Sequence, residues 1–442
     1  MRIHPLLVSG ALLLAAGARA DTVDVTSTTL LDVGKQTRGG VPGSKPDLVT
    51  TAPAYEILSI VASDIRNPIA DDLQIVLGTW GSLDAGDRRW DTGTNSSLNG
   101  DVQTGYISAR LIARRLTLRV GREHVAAGVA RMIQIDGGEA VLALPLGLRL
   151  SGYAGVPVSQ RFASRGRILS WNPMGGDLAY GGRAGWTLAL PGVAGRGLDV
   201  GASANVVKDG DATVREEVGG DIRVVPATDW TVTGFGTYST YDARLSEATV
   251  RVGCTAVRKL LVEADWRFLA PDLLLARNSI LSVFSDEKRN LFGLGATYQL
   301  RHGLSAGGSY HLQLEPGEDP EKSYSGHEAE ARIDWERGAT LAGLEASYVD
   351  AYENGYVAGR VYGRHDMGRW FAAVDLIAHH FRDKINEQSG TLTGTLTAGV
   401  KLATGFSAVV SGRAGTTPFL EQAFDVMAKL VYNQTYRIRE VR

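Results

Sequence analysis

The residues of this chain that could do chemistry are spaced two apart. In 327–336, HEAEARIDWE, the charged residues Glu328, Glu330, Arg332, Asp334 and Glu336 alternate with Ala329, Ala331, Ile333 and Trp335. In 260–269, LLVEADWRFL, Glu263, Asp265 and Arg267 oppose Val262, Ala264, Trp266 and Phe268. Within 355–364, GYVAGRVYGR, the residues Tyr356, Arg360, Tyr362 and Arg364 share one parity. Arg110, Arg114, Arg119, Arg149, Arg251, Glu345 and Asp375 fall in segments of the same kind. Successive side chains on a strand point to opposite faces, so each set gathers on one side of a sheet. Guanidinium groups, carboxylates and phenol rings on a common wall can stack against and hydrogen-bond a sugar. They can equally pair with opposite charges across strands and simply line the wall.

Bond-making chemistry is not signalled. The mature chain holds no GxSxG elbow, no HExxH and no phosphate loop. His379-His380 and His365-Asp366 are adjacent pairs whose members point to opposite faces of a strand. No catalytic residue, metal site or cofactor is therefore expected. Cys254 is the only cysteine, so no intramolecular disulfide is possible; its parity with Val250 and Val252 makes it a small hydrophobe on the apolar side. A formal net charge of -2 leaves no basic footprint for nucleic acid.

The elements that position these residues are strands. The two-beat pattern recurs in about twenty segments of about ten residues, the length a tilted strand needs to cross a bilayer. Examples are 391–402, TLTGTLTAGVKL, and 424–437, FDVMAKLVYNQTYR. No mature apolar run approaches the ~20 residues of a spanning helix, so a membrane position requires a closed barrel. The expected fold is all-β: a transmembrane antiparallel up-and-down β-barrel of about 18–20 strands over residues 51–442.

Turn chemistry marks Arg301-His302-Gly303, Glu336-Arg337-Gly338, Asn354-Gly355, Met367-Gly368 and Thr404-Gly405. Longer polar connections are expected at 82–101, 315–325 and 382–390. The parity of short turns slips between 124 and 190, which implies an extra strand or hairpin in 129–146, around Asp136-Gly137-Gly138. Residues 267–289 break the alternation and are expected either to constrict the barrel or to form an outer loop. Trp80, Trp171, Trp230, Tyr348, Tyr352, Tyr356 and Trp370 lie near segment ends, as interface girdles do. Ahead of the repeat, residues 1–20, MRIHPLLVSGALLLAAGARA, read as a secretory signal peptide, and 21–50 as a short periplasmic N-terminal segment.

Taken together, residues 50–442 resemble a Gram-negative outer-membrane β-barrel of the porin-like class. A looser similarity, to barrels that export polysaccharide, rests on LRVGREHVAAGVARMIQIDGG (118–138), with Gly121, Arg122 and Asp136-Gly137. The resemblance implies a bacterial outer-membrane location, with lipid and the barrel-assembly machinery as partners, and a periplasmic polysaccharide-export partner. It also implies a channel for a hydrophilic polymer; a general or sugar-selective diffusion porin and a structural anchor of an envelope assembly are the alternatives. Barrels of this class usually end on an aromatic residue, whereas here Tyr436 stands six residues before the end of TYRIREVR.

The repeat has a direct test. The mature protein in detergent is expected to be strand-rich and heat-modifiable, and to fractionate with outer membranes. A helical circular dichroism spectrum, or recovery as a soluble periplasmic protein, contradicts this reading.

Overall fold

The computed structural model describes residues 20–38, 47–65, 70–86, 98–158, 177–189, 197–270, 288–315, 324–351, 354–418 and 420–437. Its strands are β1 (Ala20–Arg38), β2 (Asp47–Thr51), β3 (Pro53–Ile65), β4 (Asp72–Asp84), β5 (Leu98–Leu111), β6 (Leu116–Ala127), β7 (Ala130–Ala143) and β8 (Leu148–Pro157). There follow β9 (Leu178–Ala189), β10 (Gly197–Asp209), β11 (Ala212–Ala227), β12 (Trp230–Ser239), β13 (Arg244–Cys254), β14 (Leu260–Leu269), β15 (Arg289–Gln299) and β16 (Leu304–Glu315). The last are β17 (Tyr324–Arg337), β18 (Thr340–Asp350), β19 (Gly355–Met367), β20 (Trp370–Ile385), β21 (Gln388–Ala403), β22 (Phe406–Thr417) and β23 (Leu420–Arg437).

From β3 onward each strand pairs antiparallel with the next, and β1 pairs with both β3 and β23. β2 pairs only with the end of β1. The sheet of 23 strands, less β2, is thus a closed barrel of 22 staves. Closure gives every stave a neighbour on each side, which is what a sheet in hydrocarbon requires.

The count exceeds the expected 18–20 because two staves escape the sequence pattern. β1 occupies 20–38, so residues 21–50 are not merely a periplasmic lead-in: they supply the stave that closes the barrel. Its outward parity reads Val23, Val25, Ser27, Thr29, Leu31, and the hydroxyls blur the alternation. β7 is the extra stave in 129–146, but it is one continuous strand, with Asp136-Gly137-Gly138 inside it rather than at a turn. With both included, the parity slip disappears. Residues 1–19 of the expected signal peptide lie outside the described residues, as do 271–287 of the expected constriction.

The long connections, 85–97, 158–177 and 270–288, lie at one end of the barrel, with tight turns at 128–129, 210–211 and 386–387 among them; the connections at the other end are all short, as at 112–115, 228–229, 300–303, 338–339, 368–369 and 404–405. Gly303, Gly338, Gly368 and Gly405 there sit at φ +80, +60, +69 and +80, the left-handed region that the sequence pattern anticipates. β1 begins and β23 ends at this same end, which by the usual asymmetry of such barrels is the periplasmic one. At the opposite end, the expected loop 382–390 is replaced by longer strands. β20 and β21 meet at a two-residue turn, Asn386-Glu387, with φ +48 and +68. Two successive left-handed residues match the twist of a hairpin.

The pleat sorts the faces as the sequence implies. Ile333, Leu344, Val361 and Leu376 stand side by side on β17–β20, each about half exposed, as one row of the outer belt. Trp230, Tyr298, Trp335, Trp370 and Phe406 mark the short-turn rim of the same face, and Tyr180, Tyr238, Tyr348 and Phe424 the other rim. Trp80 and Tyr356 depart from the expected girdle, because strand parity turns both inward. Trp171 and Tyr352 lie outside the described residues.

The two faces predict opposite tolerances. Ile333→Arg sets a charge in hydrocarbon and is expected to cost about 2–4 kcal/mol at mid-depth. Arg332→Gln exchanges one hydrated group for another and leaves assembly intact. Refolding titrations into bilayers measure both, and the reverse order inverts the assigned faces.

Candidate functional site: the lumen wall

The inward face is a wall of paired charges. Across β17–β19, Arg332 stands beside Glu345, and Glu345 beside Arg360. The Arg360 guanidinium forks onto Asp375 of β20, with Nε and Nη2 donating over 2.9 and 2.6 Å, and its Nη1 lies 3.6 Å from Glu345. The next row up the wall runs Asp334, Gly343, Tyr362, Asp375, Thr395, Arg413 and Asp425 on successive strands. The Tyr362 ring lies across Gly343, where any Cβ would overlap it, and the phenol donates a hydrogen bond to Asp334. Arg360 sits 4.9 Å from the centre of the same ring. Arg413 closes the row on Asp425, 2.6 Å away. These groups are partly hydrated, so each pair contributes at most about 1 kcal/mol to stability. Their effect is on the field and the hydrogen-bonding character of the lumen.

Most of the residues anticipated as lumen-lining face this way by strand parity. Arg110 meets Asp72 at 3.3 Å and Arg119 meets Glu139 at 2.8 Å. Arg149 is exposed on β8, opposite Gly185. On β14, Asp265 receives Arg267 at 2.7 Å and has His311 at 3.5 Å, while Glu263 shares their face. Glu328, Glu330, Arg332 and Asp334 alternate inward on β17. Tyr356, Arg360, Tyr362 and Arg364 do so on β19, where Arg364 stacks 4.3 Å from the Phe371 ring centre and binds Asp366 at 2.8 Å. Arg114 is the exception. It occupies the short turn 112–115 at φ +62, with its backbone N–H donating to Asp71, and so belongs to the rim rather than the wall.

A second charge cluster lies on the opposite arc and was not anticipated. Arg183 of β9 binds Asp221 through Nε and Nη2, at 2.8 and 2.6 Å, and Asp199 through Nη2 at 2.9 Å. Thr187 donates to Asp199. Gly185 and Gly201 make room for the guanidinium, since a Cβ at either would overlap it. The available signal was the run GGRAG, 181–185, in which an inward arginine is flanked by glycines two residues away on the same face. This arc also borders a cavity of about 600 Å³ that includes Arg149, Arg183, Asp221 and Phe235 and is roofed by Gly128 and Val129 at the tip of the β6–β7 hairpin.

Among the described residues no group of His, Cys, Asp and Glu side chains could hold a metal ion. The arrangement is one of hydrated, alternating charge with aromatic faces between, suited to passing or holding polar solutes.

Comparison with protein-family models and with curated proteins finds no match. Among solved structures, the chain is similar to the translocation pore of the P pilus usher (PapC), at 9% identity and a TM-score of 0.52, covering 93% of this chain and 99% of that one. It is also similar to a mutant of the ferric enterobactin receptor (PfeA) from Pseudomonas aeruginosa in complex with enterobactin, at 10% identity and a TM-score of 0.55, covering 92% and 81%. At such identities the likeness is one of fold, and the fold is that of a large outer-membrane β-barrel.

Because Arg360 is held between Asp375 and Glu345, its removal takes one positive charge from a stretch of wall that keeps both carboxylates. Arg360→Gln is expected to leave folding stability within about 1 kcal/mol of the parent and to shift the reversal potential in a salt gradient toward cation selectivity. An unchanged reversal potential would place this row off the conduction path.

Proposed function

We propose that this protein is an outer-membrane channel through which a hydrophilic polymer passes, and that the polymer is a polysaccharide. The observation that carries the reading is a barrel of 22 staves whose inward face alternates acids, arginines and tyrosines around much of its circumference. Diffusion porins of 16–18 strands already enclose an aqueous channel, and diameter grows with strand number. A wider lumen suits a chain-like cargo better than selection among small solutes. The similarity in span to a translocation pore supports the same direction.

The lining suits a glycan in particular. Tyr362 lies with the Arg360 guanidinium over its ring, and Asp334 and Asp375 add carboxylates in the same row, so an aromatic group, donors and acceptors share one band of wall. Stacking with lateral hydrogen bonds is how sugars are held weakly, and multi-site weak binding lets a polymer move rather than lodge.

The test is conductance with neutral polymers of graded size on either side of a planar bilayer, paired with cell fractionation of a deletion strain. A polymer-export channel admits polymers above the diffusion-porin limit, and its loss leaves polysaccharide in the periplasm. A small-solute cutoff with normal surface polysaccharide favours a diffusion porin. Absence of conductance with normal polysaccharide favours a structural anchor.

A further inference from the structure

We propose that residues 123–134 form a hinged gate folded into the lumen. The pairing of β5 with β6 ends at Gly105–Arg122, although β5 continues to Leu98 along β4. Beyond that point β6 and the start of β7 pair with each other from Glu123–Ile135 to the tip, while β8 takes up β7 from Ile135 onward and the Val158 N–H donates to the Gln134 carbonyl at 2.8 Å. The freed hairpin bends inward across the inner faces of β8, β9 and β10. Val125 and Ile135, 1% and 0% exposed, pack on Tyr153, Ala179 and Val207. The Val129 N–H donates to the Ser203 hydroxyl at 3.0 Å, and the Val129 side chain fills the space over Gly219. The tip thus lands three and four strands away from its own stave.

The bend has a built hinge. Gly121 holds φ +136, and a Cβ there would overlap the Gly105 carbonyl oxygen. Its cross-strand partner Gly137, and Gly155 opposite Gly137 on β8, are equally bare and back against each other. Only glycine allows three strands to approach so closely at a bend. The hinge also has a clasp. Arg122 forks onto its cross-strand partner Asp136 at 2.7 Å through Nε and Nη2, and this holds the guanidinium so that its Nη1 reaches across to β5, to Asp101 at 3.1 Å and the Val102 carbonyl at 2.9 Å. Gln134 donates to the carbonyl of Gln103. Two β5 carbonyls beyond the end of its pairing with β6 thereby accept from side chains, which a simple untidy hairpin would not provide.

The seated position is poised rather than optimal. Glu123 is 1% exposed beneath the hairpin, and neither carboxylate oxygen has a hydrogen-bond partner. Burying a carboxylate without partners is costly, and swinging the hairpin away returns it to water. The closed state is held by clasp, tip and apolar packing against that cost.

The gate rests on the channel reading only for its electrical readout, so the test has a second one. In a Cys254→Ser background, the pair Val129→Cys with Gly219→Cys should cross-link in outer membranes. The oxidised protein should lack a large-conductance state that reduction restores. Independently, the single variant Val125→Cys should react slowly with a membrane-impermeant maleimide. It should react faster when Arg122→Gln is added and more slowly still with Glu123→Gln. Failure of the pair to cross-link, or labelling of position 125 indifferent to Arg122, overturns the gate. So does equal conductance of the oxidised and reduced protein. Arg122-dependent labelling with no conductance in any form retains the hinged hairpin and overturns the channel.

Discussion

Everything in this architecture depends on one hydrogen-bonded seam. In hydrocarbon no water is available to backbone N–H and C=O groups, so a sheet can span only if its first and last strands pair. Here β1 and β23 pair in unbroken antiparallel register from Thr22–Arg437 to Gly34–Asp425. An antiparallel seam in an up-and-down barrel forces an even number of staves and brings both strand ends to the same rim. The rim of tight glycine turns and the row-by-row register follow. The outer belt needs no deep core, because lipid takes its place, and the inner face is released from packing to carry charge.

That release explains how much could be read from sequence. Strand existence and face assignment were legible wherever the two faces differ chemically. The run 328–336 is the clearest case, and its charged and apolar residues separate as written. Legibility failed where the difference is small. β1 carries Ser27 and Thr29 on its outward parity, where both hydroxyls reach Glu56 instead of meeting lipid unpaired. β7 carries Asp-Gly-Gly, a turn signal by composition, at a place where the backbone needs glycine to bend rather than to reverse. Arg114 could not be told from a wall residue, since one residue of turn moves it from the lumen to the rim.

The wall charges pose a question of magnitude. Each exposed pair is worth too little to explain the fold, yet the pairs recur in register across many strands and are given space by glycines at Gly343, Gly185 and Gly201. Removing a Cβ weakens a strand. A lining that gives up strand propensity to seat Tyr362 and Arg183 flat against the wall gains an unobstructed path with charge close to the backbone. The same residues would be poor choices for a solvent-facing sandwich, where long side chains standing off the sheet do the work of solubility.

Among the described residues the hairpin at 123–134 breaks the closure rule, and the manner of the breach is informative. Drawing two half-strands out of the wall leaves the far half of β5 without its strand neighbour, in a setting where an open edge is not tolerated. The chain answers with side chains that imitate a strand: the guanidinium of Arg122 and the amide of Gln134 donate to successive β5 carbonyls. Because these donors belong to the hairpin and its hinge, they are in place only while it is folded inward. The wall and the hairpin are therefore coupled: returning 123–134 to the barrel would replace side-chain donors with backbone donors at the same edge. Both arrangements satisfy β5, and that equivalence allows a segment of an otherwise rigid barrel to have two positions.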